Sequence, residues 1–455
     1  MPDTIAAIAT GHQVAAIGIL RLSGDMTLSI LDAVFRPVNG KPLSAQSPRK
    51  MVYGDLTAED GTVVDHALCV YFPAPNSYTG EDCAEIHCHG GLTVLDEGLS
   101  LLFAHGARQA TGGEFTRRAF LNGRMDLMQA ESVVDLIDAE TPQAAHNAAA
   151  QLGGALSRGV FAIYDDLMNL ASRFYAVVDY PDEDIEDDTR TQMLDTLMQS
   201  EKKLTELLAT FSRGKLLKTG VPTVILGRPN AGKSSLLNAL LGYDRAIVTD
   251  VPGTTRDTVE EKVRLDNVLL RLIDTAGIRN TADTVEAIGV DRAKEAAAKA
   301  DLCLLVLDGS APLTPEDEAA ITVALTVPHL VTVVNKSDLP CVLDAKELSR
   351  RFPCAVSLSA KTGEGLSALC EKIVALYPRG AEKAGELLTN ARQAEAVSRA
   401  LAAVTSARAS LESGMTPDAV LTDAESAMNA LGELTGKNVR DDLVQTIFSR
   451  FCVGK

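Results

Sequence analysis

Val221-Pro222-Thr223-Val224-Ile225-Leu226-Gly227-Arg228-Pro229-Asn230-Ala231-Gly232-Lys233-Ser234-Ser235 joins a short apolar run, a glycine-bounded loop and the start of a helix running to Leu241. The loop has the form G-x-x-x-x-G-K-S and lies between strand and helix, the setting in which that form has a physical meaning. Its glycines let backbone N–H groups curl around an anion at the positive end of the helix. Lys233 can then reach β and γ phosphates, and the Ser234 hydroxyl can ligate Mg²⁺. Strands and helices alternate from about Leu216 to Tyr377, the pattern of a parallel α/β sheet.

Three further elements follow in order. Val268 to Ile273 reads as a strand ending in Asp274-Thr275-Ala276-Gly277, where an aspartate can hold an Mg²⁺ water and a backbone N–H can sense a γ phosphate. Leu330 to Val334 reads as another strand, ending in Asn335-Lys336-Ser337-Asp338. The Asp338 carboxylate can accept from the guanine N1 and N2 groups, which adenine cannot match. Ser359-Ala360-Lys361 comes after a third apolar stretch and can offer a backbone N–H to the guanine oxygen. These four elements in sequence predict a GTP site. Position 278 is Ile, where small regulatory GTPases carry a water-orienting Gln, so hydrolysis must recruit another group. Arg256, Arg279 and Glu286 are candidates, and spacing does not choose among them.

The rest of the chain sets limits. Its 455 residues exceed one ordinary core, so two or three domains are expected. No apolar run approaches the roughly 18 residues of a membrane span, and the first residues lack the basic start of a signal peptide. Eight scattered cysteines read as reduced thiols in a cytoplasm. A net charge of −18 excludes bulk attraction for nucleic acid. With no Trp and 4% aromatics, platforms for stacking bases are scarce.

Residues 1–118 alternate strand-like runs (Val14–Leu20, Met51–Thr57, Asp65–Phe72, Cys83–Cys88) with turns, and a helix follows Gly91 to about His105, so an α+β domain is expected there. Residues 119–215 read as helical, with one long helix from Pro142 to Val178 and another from about Thr189 to Ser212. Asp179 to Asp188 hold seven carboxylates in ten residues, read as a solvated loop rather than a metal site. Residues 216–378 form the α/β domain. Residues 379–455 are helical again from 388, with Thr416-Pro417 as a helix start. The economical arrangement is one split all-α domain interrupted by the inserted P-loop domain.

Gly227–Ser234, Gly253-Thr254-Thr255-Arg256-Asp257 and Asp274-Thr275-Ala276-Gly277-Ile278-Arg279 together resemble the TrmE–Era–EngA group of bacterial GTPases. Outside that domain the resemblance narrows to the MnmE (TrmE) family of tRNA modification GTPases. It rests on Asp3–Thr10, Asn76–Asp82, Gly113–Thr116, Arg118–Arg124, Tyr180–Asp184 and the terminal Phe451-Cys452-Val453-Gly454-Lys455. The chain departs from the family at Gly11-His12-Gln13-Val14-Ala15-Ala16, where a glycine-rich stretch with an Arg is usual. It departs again at Gly112-Gly113-Glu114-Phe115, where the family has Pro-Gly-Glu-Phe.

The resemblance implies an N-terminal folate-binding and dimerisation domain, a split helical domain and an inserted GTPase domain. It implies a cytoplasmic homodimer that joins an FAD- and NADH-dependent partner, MnmG, in a heterotetramer. Together they would add aminomethyl or carboxymethylaminomethyl groups at C5 of the wobble uridine of tRNA. The carbon would come from 5,10-methylenetetrahydrofolate or a 5-formyl analogue. Arg21, Glu85, Arg124 and Lys455 match the family's folate contacts. Asn230, Thr249, Val251 and Thr254 match its K⁺ ligands, Ser234 and Thr255 its Mg²⁺ ligands, and Glu286 its water-positioning acid. Around the nucleotide the match adds Ala231, Gly232, Lys233, Ser235, Asp250, Pro252 and Gly253.

Cys83, His87, Cys88, His89 and His105 invite a zinc reading, but on a strand His87 and His89 share one face while Cys88 takes the other. Cys452, just past the apolar face of Leu443, Ile447 and Phe451, would by itself be a buried small residue. The family match makes it an active thiol. Arg117, Arg118 and Arg124 could be a solvated face or a contact for tRNA or folate. A GTP-dependent RNA-binding switch in ribosome assembly is the alternative function, disfavoured by the acidic balance. A mechanical membrane GTPase lacks a basic amphipathic helix. Since Ile278 cannot orient water, Glu286→Ala should lower GTP turnover by roughly 10²–10⁴-fold, the scale of a positioned acid–base group, while nucleotide titration still shows binding.

Overall fold

The computed structural model describes residues 3–179, 187–243, 261–273, 286–377, 384–437, 447–448 and 451–454. Contacts divide the chain into two compact units: Met1–Val134 with Ala149–Thr205 and Ala396–Lys455, and Asp135–Ala148 with Glu206–Glu395. The chain thus gives a short segment to the second unit, returns to the first, builds most of the second from Glu206 and comes back at Ala396.

The first unit opens with a sheet of β1 (Ile5–Ile8), β2 (Ile17–Ser23), β3 (Phe35–Pro37), β4 (Val52–Thr57), β5 (Val63–Phe72), β6 (Cys83–His89) and β7 (Arg108–Gln109). Their order is β3-β4-β5-β6-β2-β1-β7, antiparallel except for β1 with β7. Strand residues alternate faces, so Leu20, Leu22, Leu56, Cys69 and Ile86 share one core with Leu95 and Leu102 of the helix Leu92–Ala104. Arg21 and Glu85 are cross-strand partners. β2 begins at Ile17, not at Val14. Residues 11–17 are exposed, and Ala15 donates its N–H to Gly90, outside the ladder. Sequence reading also passed over β1, the helix Thr27–Val34 and the helix Glu114–Leu121.

The long helix expected from Pro142 is two helices, Pro142–Leu152 and Ala155–Asp179. Between them Gly154 takes φ +79°, a left-handed conformation that ends a right-handed helix. Ala155–Asp179 buries Val160, Ile163, Leu167, Leu170 and Phe174 at helical spacing, and it lies along Pro417–Thr435. That second helix starts with Pro417 at its first turn, and the Thr416 side chain makes no cap hydrogen bond. The helix expected over Thr189–Ser212 runs Asp187–Ala209, and a separate helix Phe211–Thr219 leads into the second unit's sheet. In the first unit Glu201 accepts from Arg408 at 2.7 Å and from Thr405 at 3.1 Å, tying sequence-distant helices together.

The second unit's sheet contains β8 (Val221–Leu226), β9 (Glu261–Leu265), β10 (Val268–Leu272), β11 (Leu302–Asp308), β12 (His329–Asn335) and β13 (Ala355–Ser357). The order is β13-β12-β11-β8-β10-β9. The parallel expectation needs one correction: β9 is antiparallel to β10. Only two residues, Asp266 and Asn267, join those strands, and so short a link can return the chain only as a hairpin. Every residue of β11 is buried, because helices cover both faces of a parallel sheet. Leu302, Leu304 and Val306 enter one core, and Cys303, Leu305 and Leu307 the other.

Leu304→Ala should lower stability by about 2–5 kcal/mol, the cost of a cavity at a fully buried leucine. Leu325→Ala, at an exposed leucine, should stay within about 0.5 kcal/mol. Urea titration followed by far-UV circular dichroism compares the two.

Candidate functional site

Gly227–Ser234 lies at the end of β8, and the helix Lys233–Tyr243 begins inside it. Asn230 has φ +61° and Gly232 φ +101°, so the loop turns back on itself. A Cβ on Gly232 would stand 2.0 Å from Asn335 Nδ2, so no side chain fits there. Lys233 Nζ donates to the carbonyls of Gly227 and Arg228, each at 2.8 Å. Burial pulls its pKa below the ordinary lysine value.

Asn335 ends β12 and is 3% exposed. Its Nδ2 donates to Ala231 O and its Oδ1 accepts from Ala360 N, both at 2.9 Å. One amide therefore joins the Gly227–Ser234 loop to Ser359-Ala360-Lys361. Three residues on, Asp338 is exposed. A hydrogen bond with Ser359, and then the nearby charges of Lys361 and Lys336, hold its pKa below the usual carboxylate range. It is an ionised acceptor, as reading guanine N–H groups requires. Ser337 N donates to Leu358 O at 3.1 Å, fixing the turn beneath it. Thus Asn230, Ala231, Gly232, Lys233, Ser234, Ser235, Asn335, Lys336, Ser337, Asp338, Ser359, Ala360 and Lys361 lie at or after the ends of β8, β12 and β13 in one sheet. Thr249–Thr255, Asp274–Gly277, Arg256 and Arg279 lie outside the described residues, as does the side chain of Glu286.

In the first unit a cavity of about 150 Å³ is lined by Arg21, Phe72, Tyr78, Thr79, Cys83, Ala84 and Glu85. Arg21 donates to Glu85 Oε1 from Nε at 3.0 Å and from Nη2 at 2.8 Å. His87 Nε2 lies 3.2 Å from the other Glu85 oxygen. Burial alone would raise the Glu85 pKa, but the Arg21 bonds outweigh it and keep the carboxyl below its usual range. The Arg21 guanidinium carbon stands 5.7 Å from the Tyr78 ring centroid and 5.8 Å from that of Phe115.

The chain's last residues meet this region. Gly113 N donates to Cys452 O at 3.2 Å, Val453 pairs with Gly112 as an antiparallel bridge, and Arg21 Nη1 donates to Gly454 O at 3.3 Å. Cys452 itself is an exposed free thiol, not a core residue. Lys455 lies outside the described residues. Arg124 is exposed and does not line the cavity. Arg118 is no free cation: it donates to Glu81 at 2.9 Å, to Asp3 Oδ1 at 2.7 Å and to Glu114 at 3.1 Å. Burial would raise the Glu114 pKa, yet Arg108, the Thr111 N–H and Arg118 bring it down to about 2. His87 and His89 pair with Glu85 and Asp65, whereas Cys88 lies in the core. Among the described residues no three His, Cys, Asp or Glu converge.

Comparison with known proteins bears on the whole chain. Residues 4–124 match the family model "GTP-binding protein TrmE N-terminus", and residues 127–452 match "MnmE helical domain". The "tRNA modification GTPase MnmE" of Alkaliphilus metalliredigens is 44% identical, with 100% of both chains covered. The chain belongs to the MnmE family of tRNA modification GTPases. The protein of that name from Thermoanaerobacter sp. is 42% identical, covering 100% of this chain and 99% of its own. The G domain of the T. maritima FeoB iron transporter is 28% identical over 34% of this chain and 98% of its own, at a TM-score of 0.26.

The chain is accordingly a GTPase with the multidomain α+β, helical and P-loop architecture of its family. Sequence reading missed the double role of Asn335, whose pairing with Ala231 and Ala360 no spacing reveals. It also missed Tyr78 as a cavity wall, although Asn76–Asp82 had stood out.

Asp338→Asn should weaken guanine nucleotide binding by roughly 1–3 kcal/mol, since one guanine donor then meets an amide N–H. Xanthine, with an oxygen in place of the 2-amino group, should regain affinity. Competition between GDP and XDP for a fluorescent nucleotide measures both, and an unchanged GDP affinity would contradict the assignment.

Proposed function

We propose that this protein is the GTP-hydrolysing subunit of a complex that installs aminomethyl or carboxymethylaminomethyl groups at C5 of the tRNA wobble uridine, drawing carbon from a one-carbon folate. The observation that carries this reading is the Arg21–Glu85 pair inside an aromatic-walled cavity, with the Cys452 segment docked beside it. The names of relatives 44% and 42% identical across the chain support the tRNA part.

The cavity's donors fit a folate. Glu85, held ionised, can accept from a pterin N–H edge, and Tyr78 and Phe72 offer apolar walls to a flat ring. Arg21 would sit at the same ring, and Arg124 and Lys455 would take the carboxylate tail. Folate, when bound, supplies the one-carbon unit. The Cys452 thiol, exposed on a segment tied to Arg21 through Gly454, is the chain's own nucleophile for that region. Residues 1–118 are assigned to folate binding and dimerisation, 119–215 and 379–455 to the split helical domain, and 216–378 to the GTPase domain.

In the GTPase domain the phosphates would lie in the loop Gly227–Ser234, where Lys233, now held by neutral carbonyls, would gain a counter-charge. Mg²⁺ would be held by Ser234 and Thr255. K⁺ would be held by Asn230, Thr249, Val251 and Thr254, neutralising charge between β and γ phosphates. The left-handed Asn230 at the turn of the loop suits such a ligand. Glu286 would orient water. The working assembly is a homodimer joined to the FAD- and NADH-dependent MnmG in the cytoplasm. No helix among the described residues is long and apolar enough to cross a membrane.

Mass spectrometry of wobble nucleosides tests this in a deletion strain complemented with wild type or Cys452→Ser. C5-modified uridines should vanish in the deletion strain and return only with wild type. Cys452→Ser should keep GTP turnover near normal, since the thiol lies outside the GTPase domain. Normal modified uridines in the deletion strain would overturn the function. Full rescue by Cys452→Ser would make the thiol structural.

A further inference from the structure

One carboxylate outside every nucleotide motif touches two of the loops that carry them. Asp308 ends β11, the strand between β8, which feeds Gly227–Ser234, and β12, which feeds Asn335–Asp338. It is 8% exposed. Its Oδ2 accepts from Lys336 Nζ at 2.7 Å and from Arg228 Nη2 at 3.2 Å. Its Oδ1 accepts from Ser310 N at 3.0 Å and from Ser310 Oγ at 2.6 Å. Ser310 thereby fixes the plane of the carboxylate and leaves Oδ2 to bridge the strand ends.

The two cations on that oxygen occupy equivalent places. Arg228 is the second residue of the phosphate-type loop, and Lys336 is the second of Asn335-Lys336-Ser337-Asp338. Lys336 has φ +68°, a left-handed backbone uncommon outside glycine, asparagine and aspartate. A backbone so placed gains from a pinned side chain, and Asp308 pins it. Arg228 has a second carboxylate nearby, Asp317, 2% exposed and 3.4 Å from its Nε. Two anions and two cations balance within the junction. Burial would raise the Asp308 pKa, but the bonds from Lys336 and Ser310 hold it below the ordinary value, so the junction stays charged.

We propose that Asp308 is a positioning residue for guanine nucleotides, holding the base-reading loop, through Lys336, in fixed spacing from the phosphate loop, through Arg228. This rests on Asn335–Asp338 being the guanine loop. The need for it is geometric. A nucleotide has a set distance between base and phosphates, whereas the loops that meet them leave strands two ladder spacings apart, about 10 Å. Asn335 fixes the backbone of one loop to the other, and Asp308 fixes the residues beside it.

The measurement is titration of the full-length protein with GDP and with IDP, which lacks the 2-amino group that Asp338 would read. Nucleotide-free melting is recorded alongside. Asp308→Asn keeps the volume and one acceptor but loses the charge. It should raise the GDP Kd about tenfold, equivalent to about 1.4 kcal/mol, and should narrow the preference for GDP over IDP with little change in melting temperature. Lys336→Met leaves Asp308 paired with Arg228 and Ser310, so it should fold and narrow the preference in the same way, even if Asp308→Asn does not fold. Wild-type selectivity in Lys336→Met would overturn the proposal. So would equal weakening of GDP and IDP by Asp308→Asn in step with a lower melting temperature, which is the mark of a scaffold residue. Asp338→Asn separates the two readings. If it narrows selectivity while Asp308→Asn leaves GDP affinity intact, the guanine loop stands and the positioning role falls. If it leaves selectivity intact, the guanine loop falls and the positioning role with it.

Discussion

The nucleotide site depends on how three buried parallel strands end side by side. A parallel sheet covered on both faces forces its strand-end polar groups out of water, and each then needs a partner. In this chain the partners are other parts of the site. The Asn335 amide satisfies Ala231 on one side and Ala360 on the other, while Gly309 N reaches Asn335 O at 2.9 Å. The same bonds that prevent unsatisfied buried groups also set the shape into which a nucleotide fits. Stability and function share one set of hydrogen bonds at this junction. Loss of Asn335 would cost the fold unpaired buried groups and the site its geometry together.

How much of this was legible depended on distance along the chain. Gly227–Ser234 could be read because a phosphate loop is local, its glycines, lysine and helix start lying within eight residues. Its placement after an apolar strand was legible for the same reason. Asp308 left no such mark, since its partners Arg228 and Lys336 stand 80 and 28 residues away. At the end of the apolar run Leu302–Asp308 it looks like any residue that stops a strand. The helix break at Gly153-Gly154 was missed for a different reason. Apolar spacing stays in phase across it, and only the left-handed φ of Gly154 reveals the interruption. The antiparallel β9 was hidden because a hairpin and a crossover both begin with an apolar run.

The first unit uses buried charge differently. In the second unit, Asp308 and Lys336 meet at strand ends where loops must be held. Here Arg21 and Glu85 face each other across neighbouring strands on the side of the sheet away from the helix core. A pair between two central strands gains nothing for sheet pairing that apolar residues could not provide, since burying both charges costs as much as their attraction returns. Its presence in a cavity, with Arg21 also reaching Gly454 O, fits a polar surface kept for a ligand. The Arg108–Glu114–Arg118–Asp3 cluster serves instead as a clasp between Asp3, β7 and the helix Glu114–Leu121.

That contrast bears on how so acidic a chain could serve a polyanionic RNA. The net charge is −18, and several of the described arginines are bonded to carboxylates. Arg108 and Arg118 are bound in the clasp, Arg228 at the strand ends, Arg351 to Glu318, Arg399 to Glu433 and Arg408 to Glu201. A guanidinium already bonded to a carboxylate contributes little to a long-range field, and counterion release needs unpaired cations facing phosphates. These paired guanidinium groups therefore hold each unit together rather than adding to an attractive field for RNA.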